Sequence, residues 1–475
     1  MRKIQQYVQS RWEEFCKATL ENKLSMIAFL SLCFFFFDCS FTGGGHYLAV
    51  GPLTPRVAAA LIALLCSVPV LLKNIRKYIK NPIVLMVIVF AVYLGICAVR
   101  GYLAKNRMNV LLSDIKGFAW LFMVPVTMAI LNSRARFTRV VNCVIVGSVL
   151  QACFVFVVNI VCTFVPDGIK IFYQPMIDTM IGTVSSVSGN IFRIFMKSSP
   201  YMILSCGVLL YRQVTRKKVN GWQLTMIAMI LNALLLSFTR SVYGCIIVVF
   251  ACVFMVVVIL HRDAILRCIQ MLLLILAITL SLVTVQELVL GGNYFHFALS
   301  RTFGTHVEES PIVELRGDIL DLLNGGNFSA QSDDDNSDLT DQEAYIDITE
   351  KSDNLRAQTK AELKAIIARN PIFGSGLGAS VPSRESGLDE YFYLDVLARM
   401  GIVGLILYVF PFAYVVIVGL KKRKELMVFH DGCGVVCGMV GFWAITWFNP
   451  WMNAVLGIAC YALCTAIPQN LTDTE

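Results

Sequence analysis

Residues 354–404 read NLRAQTKAELKAIIARNPIFGSGLGASVPSRESGLDEYFYLDVLARMGIVG, which predicts a polar helix, a glycine-rich turn and an apolar helix. Pro371 ends the first helix, because the residue before a proline disfavours helical backbone. Arg356, Lys360 and Lys364 are four residues apart in that helix, so we expect them to share one face. Glycines at alternate positions then mark a turn that leads towards the apolar helix.

The composition places the chain among membrane proteins. It is 57% hydrophobic and 15% charged, with a mean hydropathy of +0.69, whereas a soluble globular chain carries more charge and fewer apolar residues. The formal net charge of +8 does not indicate nucleic-acid binding, since basic residues gather in short connections between apolar runs. Nearly all of the 16 cysteines lie within apolar runs, which indicates packing residues rather than disulfides or a zinc site.

Twelve apolar runs have the length of a membrane span or slightly less. They centre on residues 25–41, 55–72, 82–98, 114–131, 140–164, 198–212, 222–238, 242–260, 267–287, 401–420, 426–448 and 451–467. Short basic connections follow the second, fourth, sixth, eighth and tenth runs. Because basic loops stay in the cytoplasm, this alternation predicts that these connections and both termini are cytoplasmic.

The predicted fold is an all-α integral membrane bundle of about twelve helices with a large, partly helical extracytoplasmic loop. Its parts are a charged, amphipathic N-terminus (1–24), nine helices with an outer loop at 165–197 (25–287), the large outer loop (288–392), three further helices (393–467) and a cytoplasmic tail (468–475). We find no inverted repeat in the sequence, and this argues against the two-fold design of many transporters.

Two arginines lie at the predicted outer ends of apolar runs. Arg240 stands in LSFTRS between the seventh and eighth runs, and Arg193 precedes the sixth. An arginine near the membrane costs a few kcal/mol unless it snorkels or pairs. Arg240 is therefore either a snorkelling residue at the membrane interface or a phosphate ligand. Arg193 is either a solvent-exposed loop residue or a second phosphate ligand. A guanidinium suits the second role, because it binds two phosphate oxygens at once.

The stretch 354–404 resembles the large-loop signature of the bacterial O-antigen polymerase and O-antigen ligase family. That signature has an arginine in a helix, a Pro-x-x-Gly-x-Gly turn, a polar-aromatic motif and a helix with Gly-x-x-Gly. The matching positions here are Arg356, Pro371 to Gly378, Glu390 to Leu394, and the pair Gly401 and Gly404. The match covers about fifty of 475 residues. Ligase-type members often have histidine where this chain has Glu390, so the resemblance favours a polymerase.

The resemblance implies an enzyme of the bacterial inner membrane that uses oligosaccharides on undecaprenyl diphosphate. A growing O-antigen or capsule chain would be transferred to the non-reducing end of a new unit, with inversion at the anomeric carbon. Arg356, Arg240 and Arg193 would bind the diphosphate, with Lys360 as a secondary contact. No metal or other cofactor is implied, because arginines would stabilise the leaving group. Expected partners are the lipid bilayer, a chain-length regulator and a flippase, and nucleic acid is not among them.

The reaction that the resemblance implies also needs a general base for the acceptor hydroxyl. Glu390 is the first candidate, because its place among aromatic residues would raise its pKa towards a useful value. Asp389 and Asp395 are alternatives for the base, and His306 in the large loop is a secondary candidate. Arg316 in the same loop is a secondary candidate among the outer cations. The structural alternative for Glu390 is a carboxylate at the membrane interface that pairs with an outer arginine such as Arg399.

Other functions remain open at this stage. A ligase would use the same donor site but pass the finished glycan to lipid A core or to protein. A lipid-linked oligosaccharide flippase would predict short loops and charges near the middle of the bilayer, and a non-catalytic scaffold would need no outer arginines that face inwards. The structural alternative for Arg356 is a solvent-exposed cation on a helix surface. The acidic triplet Asp333–Asp335 lacks ordered metal-ligand spacing, so we do not predict a metal site there.

Overall fold

A computed structural model of the protein describes residues 16, 18–51, 53–188, 191–216, 218–303, 354–383 and 391–471, and the structural statements below concern these residues. Within them, eight helices are long and apolar enough to cross a membrane: Leu20–Phe41, Pro55–Lys73, Pro82–Leu103, Met108–Ile130, Arg134–Phe164, Arg240–Leu260, Arg262–Leu290 and Phe392–Lys421. The prediction of a mainly α-helical, multi-pass membrane protein is therefore confirmed.

The described residues up to Met196 form eight helices and a hairpin. The helices are α1 (Leu20–Phe41), α2 (Pro55–Lys73), α3 (Ile75–Ile79), α4 (Pro82–Leu103), α5 (Met108–Ala119), α6 (Met123–Ile130), α7 (Arg134–Phe164) and α8 (Gly168–Asp178). The antiparallel hairpin consists of β1 (Gly182–Ser188) and β2 (Ile191–Met196), and it sets Ser185 opposite Arg193. A short 3-10 turn at Trp120–Phe122 joins α5 to α6.

The second half continues with helices of very different length. They are α9 (Ser199–Thr215), α10 (Gly221–Leu235), α11 (Arg240–Leu260), α12 (Ile265–Leu290), α13 (Tyr294–Phe303), α14 (354–369), α15 (Phe392–Lys421), α16 (Arg423–Val428), α17 (His430–Ile445), α18 (Val455–Thr465) and α19 (Ile467–Asn470). Two further 3-10 turns lie at Arg262–Ala264 and Trp451–Asn453.

Several helices begin where the sequence provides a cap. The side chain of Thr54 accepts a hydrogen bond from Val57 N (3.3 Å), and that of Asn81 accepts one from Ile83 N (2.9 Å). Each cap directly precedes a proline, which has no backbone N–H to leave unpaired and holds a helical φ. These two signals fix the starts of α2 and α4.

The centre of the bundle is formed by short helices. Nearly every residue of α9, α17 and α18 is buried. Helix α17 approaches α9 closely because it presents glycines: a Cβ at Gly438 would lie 2.3 Å from Leu204 Cδ1, and one at Gly434 would lie 2.7 Å from Val208 Cα. The longer helices surround this centre and expose apolar side chains on their outer faces.

The bundle has two distinct ends. At one end, which we call the loop end, lie the C-terminal ends of α7 and α12 and the N-terminal ends of α9 and α15. There the turn after α1 packs against the residues before α9, since a Cβ at Gly43 would lie 2.5 Å from Ser198 N. The opposite end, which we call the basic end, carries the short basic connections. The charge pattern of the sequence predicts that these two ends face opposite sides of the membrane.

The structure refines two predictions. Each of the twelve predicted runs coincides with a helical stretch of the described residues, but α9, α10, α17 and α18 are only 17, 15, 16 and 11 residues long. Helix length and composition therefore identify eight candidate spans among the described residues, and the count of twelve stays a prediction. The segment 165–197, expected as an outer loop, contains α8 and the hairpin. A Gly-Asn dipeptide between alternating residues was the available hairpin signal.

Candidate functional site

The polar helix of the opening stretch forms as predicted. Helix α14 covers residues 354–369, and Arg356, Lys360 and Lys364 all lie on its exposed face. Its opposite face buries Leu363, which packs with Val381 and with residues of α15. The sequence thus predicted correctly both the end of this helix before Pro371 and its shared basic face.

Helix α15 is interrupted at Gly401, whose φ of +66° is left-handed. A continuous helix would bond the N–H groups of residues 402 and 403 to the carbonyls of residues 398 and 399. Instead Ile402 N donates to Pro371 O (3.0 Å) and Val403 N donates to Ile372 O (3.2 Å). The glycine turn after α14 therefore takes over hydrogen bonds that the helix has lost.

The freed carbonyls of α15 are satisfied by the same turn. Ser375 N donates to Ala398 O (2.8 Å), and Gly376 N donates to Arg399 O (2.9 Å). Each backbone group left unpaired in an apolar medium would cost several kcal/mol. The segment 371–376 thus completes the broken hydrogen-bond pattern of α15, and the two act as one unit.

The other side of the turn is bound by α4 and the residues after it. Arg100 donates from Nη1 to Phe373 O and from Nη2 to Gly374 O, both at 2.7 Å. Asn106 Nδ2 donates to Leu377 O (2.9 Å). Gly376 has a φ of +87°, and a Cβ there would lie 2.4 Å from Gly101 N. Only glycine fits this position, which explains the spacing of the Pro-x-x-Gly-x-Gly pattern.

A buried charge cluster lies next to the turn. Arg399 forms ion pairs with Asp114 of α5 and, at 2.9 Å, with Asp395 of its own helix. Asp114 also accepts a hydrogen bond from Gly378 N (2.9 Å), and Arg399 Nε donates to Ala379 O (3.1 Å). The residues Arg399, Asp114 and Asp395 are 3%, 8% and 2% exposed. This geometry favours a structural role for Asp395 over the alternative role of general base.

The turn is also tied back to α14. Glu362 accepts hydrogen bonds from Ser383 Oγ (2.7 Å) and from Ser383 N (3.0 Å). Both bonds lower the pKa of the Glu362 carboxyl, and the bond from the Ser383 hydroxyl has the larger effect. A carboxylate that accepts two donors stays ionised, so α14 and the residues after the turn are held together at neutral pH.

The structure brings Arg193 and the Arg240 segment together. Strand β2 runs beside the residues before α11, since Ile194 N donates to Leu236 O (2.9 Å). Arg193 Nε donates to Ser237 O (3.2 Å), three residues before Arg240. Arg240 is exposed and is the first residue of α11. Two cations that are 47 positions apart in the sequence thus lie at one helix N-terminus.

The Arg240 segment is linked to the start of α15 by the connection between α17 and α18. Asn449 Nδ2 donates to Ser241 Oγ (3.3 Å). Two residues earlier, the ring of Trp447 lies 5.3 Å from that of Tyr393, in the first turn of α15. Trp447 is 51% exposed. Arg240 and Arg356 lie on different helices, α11 and α14. The contacts that connect these helices pass through Asn449, Trp447 and α15.

A second buried ion pair braces the loop end. Arg56 Nε lies 2.7 Å from Asp38 Oδ2, and both side chains are almost fully buried. Arg56 Nη1 also donates to Gly43 O (3.0 Å), and the Tyr47 hydroxyl donates to Asp38. This cluster fixes the connection between α1 and α2 beside the hairpin.

Some site residues lie beyond what the structure describes, and others were missed by sequence reasoning. Glu390, Asp389, Arg316 and His306 fall outside the described residues. The sequence did not point to Asp114, and Arg399 was considered only as a possible partner of Glu390, not of Asp114 and Asp395. Carboxylates are rare in membrane spans, so Asp114 within the candidate span Met108–Ile130 was a usable signal. Asp395 and Arg399 also have the i, i+4 spacing of a helical ion pair.

No protein-family model matches the chain, and no curated protein matches it significantly.

Proposed function

We propose that the chain is a glycosyltransferase of the bacterial inner membrane, with about twelve spans and both termini in the cytoplasm. Its loop end would face outwards, where oligosaccharides on undecaprenyl diphosphate are presented. The enzyme would transfer a growing glycan from its carrier to the non-reducing end of a lipid-linked repeat unit, as a polysaccharide polymerase of the O-antigen or capsule type.

The observation that carries this proposal is the convergence of Arg193 and Arg240 at the N-terminus of α11. In the proposed topology α11 spans the membrane, so both arginines would lie at the boundary between hydrocarbon and water, where a lipid-borne diphosphate travels. The helix N-terminus adds a partial positive charge. Two guanidinium groups together with a helix N-terminus suit a diphosphate, because each attracts charged oxygens.

The exposed face of α14 supplies further cations. Arg356, Lys360 and Lys364 line one side of this helix, and the turn after it is bound firmly to α4 and α15. These contacts would hold the helix in place, so that its cations face the loop end. In this proposal Arg193 and Arg240 bind the diphosphate, and Arg356 with Lys360 approaches it from the large loop.

The proposed reaction is a single displacement. The acceptor hydroxyl attacks the anomeric carbon of the donor glycan while the bond from that carbon to the diphosphate oxygen breaks. Undecaprenyl diphosphate leaves with the negative charge that the arginines stabilise. The hydroxyl proton passes to Glu390, which precedes Phe392, the first residue of α15, by two positions. The result is inversion at the anomeric carbon.

The arginines provide the first test. In a strain that lacks the gene, we expect Arg240→Ala and Arg193→Ala each to lose long glycan chains and leave single-unit decoration. The physical reason is the loss of a charged contact to the leaving group, for which reductions of about 10²–10³-fold are typical. The measurement is the ladder of chain lengths on a glycan gel, at matched protein levels.

Arg76→Ala is the matched control, because Arg76 is an exposed cation at the basic end. A normal ladder from Arg240→Ala and Arg193→Ala would remove both residues from the mechanism. Loss of all surface attachment in the deletion strain, rather than retention of single units, would identify a ligase instead.

The proposed base gives the second test. Glu390→Gln keeps the size of the side chain but cannot take a proton, so we expect chain extension to fall by about 10²–10⁴-fold. Binding of the lipid-linked donor should persist, because the arginines are unchanged. Donor binding to the purified variant and chain extension in membrane vesicles measure the two effects separately. Full activity of Glu390→Gln would assign the base to another residue.

A further inference from the structure

A groove lies between α1 and α7, lined by the half of α7 towards the basic end and by residues just past the midpoint of α1. It is open and has a volume of about 360 Å³. Helix α1 lines it with Cys33, Phe34 and Phe37, and α7 lines it with Asn142, Cys143 and Val146. The lining is thus apolar apart from one amide and two thiols.

The α7 side of the groove changes from polar to apolar along its length. Arg139, Asn142, Val146 and Leu150 are spaced by three or four residues, so they share one helix face, and all four are exposed. Arg139 is nearest the basic end. The rise from Arg139 to Leu150 is about 16 Å at 1.5 Å per residue. That is close to the depth of one leaflet, which is half of a hydrocarbon core of about 30 Å.

A second cation is held at the polar end of the groove. Arg212 of α9 donates from Nη2 to Asn142 Oδ1 (2.8 Å), and Asn142 lines the groove. Its Nε is bound to Asp431 of α17 at 2.5 Å. These contacts fix the guanidinium beside the groove while Arg139 stands exposed on the same side. Because Asp431 neutralises Arg212, the exposed Arg139 carries the net positive charge at this end of the groove, and the remainder of the groove is apolar.

We propose that this groove binds one phospholipid with an anionic headgroup, in the leaflet at the basic end. Its phosphate lies at Arg139 and Arg212, and one acyl chain runs along Phe34, Phe37 and Val146. A lipid fits because the slot faces the membrane, has the length of a leaflet and is basic only where headgroups lie. The site is at the opposite end of the bundle from Arg193 and Arg240, and it does not depend on the proposed function.

Headgroup preference provides the test. The purified full-length protein is incubated with phosphatidylglycerol and phosphatidylethanolamine of identical acyl chains, and retained lipid is counted by native mass spectrometry. We expect wild type to retain phosphatidylglycerol about fivefold better, the preference that one cation near the membrane surface provides. Arg139→Gln should lower that ratio towards one. Arg76→Gln, an exposed cation on α3 at the same end, should leave it unchanged.

A second pair of variants tests the groove itself. Val146→Phe fills the slot and should reduce retention of both lipids, whereas Val157→Phe adds the same bulk to another exposed position of α7 and should not. Equal retention of the two lipids by wild type would overturn the proposal. So would matching ratios for Arg139→Gln and Arg76→Gln, or matching retention for the two phenylalanine variants. A dimer that excludes lipid would assign the groove to a second copy of the chain.

Discussion

Arg399 is the residue on which the loop end depends most. It is 3% exposed, it pairs with Asp114 and Asp395, and it donates to a carbonyl of the glycine turn. Removing one partner from a buried charge cluster is far more costly than replacing the cluster as a whole, because the remaining charges lose their compensation. Arg399 therefore connects α5, α15 and the turn through electrostatics alone.

We expect Arg399→Leu to lower stability by about 3–5 kcal/mol, because two carboxylates then remain buried without a cation. The thermal unfolding of the purified protein in detergent, followed by tryptophan fluorescence, measures this change. Arg369→Leu is the control, since Arg369 is an exposed residue at the end of α14. Equal melting temperatures for the two variants would contradict the role assigned to Arg399.

Sequence reasoning reached the residue scale only where the signal was local. The shared face of Arg356, Lys360 and Lys364 follows from helical spacing, and the structure confirms it. The pairing of Asp114 with Arg399 spans 285 positions, so no local pattern contains it. The proximity of Arg193 to the Arg240 segment is equally a product of tertiary packing, because it depends on the position of β2.

At the scale of elements, the glycine turn and the interrupted helix α15 form a single structure. The turn supplies two acceptors and two donors to the break at Gly401, and α4 covers the other side of the turn. The sequence predicted a turn and a helix as separate elements. It did not predict that they share hydrogen bonds, since the left-handed glycine inside an apolar run reads as an ordinary small residue.

Gly376→Ala tests this shared structure. We expect a loss of at least about 1–2 kcal/mol, because alanine is strained at positive φ and its Cβ would collide with Gly101. The turn should loosen, and protease should then cleave near α14 sooner than in wild type. Limited proteolysis of the folded protein in detergent measures the rate.

Gly95→Ala is the matched control. Gly95 is a residue of α4, the helix that contacts the turn, and a Cβ there meets nothing within 4 Å. It should leave the cleavage rate unchanged. If Gly376→Ala is cleaved no faster than Gly95→Ala, the turn does not hold α14 in place.

At the scale of the whole molecule, the bundle combines long outer helices with a short, buried centre. Composition and apolar runs were sufficient to predict a multi-pass helical protein. The sequence predicted twelve runs of about span length, whereas α9, α10, α17 and α18 are shorter than the eight candidate spans. These four helices are buried against protein, so their length need not match the bilayer thickness. The hairpin was missed although its Gly-Asn dipeptide is a local signal, whereas its packing against the residues before α11 is a tertiary feature that no local pattern contains.

The proposed topology of twelve spans makes a direct prediction. Alkaline phosphatase fused after residue 180 or residue 330 should be active, because these positions would lie outside the cytoplasm. Fusions after residue 218 or residue 424 should be inactive, since basic connections stay inside. Green fluorescent protein at the same four positions should give the opposite pattern. An active phosphatase at residue 424 would contradict the proposed orientation.

The ion pair between Asp114 and Arg399 has a consequence for biosynthesis. A ribosome adds about 5–20 residues per second, so Asp114 emerges roughly 15–60 seconds before the arginine that neutralises it. During that interval the nascent chain carries a carboxylate in a candidate membrane span, at a cost of a few kcal/mol. The N-terminal helices therefore cannot reach their final state by themselves, and a chain that terminates early would be a substrate for membrane quality control.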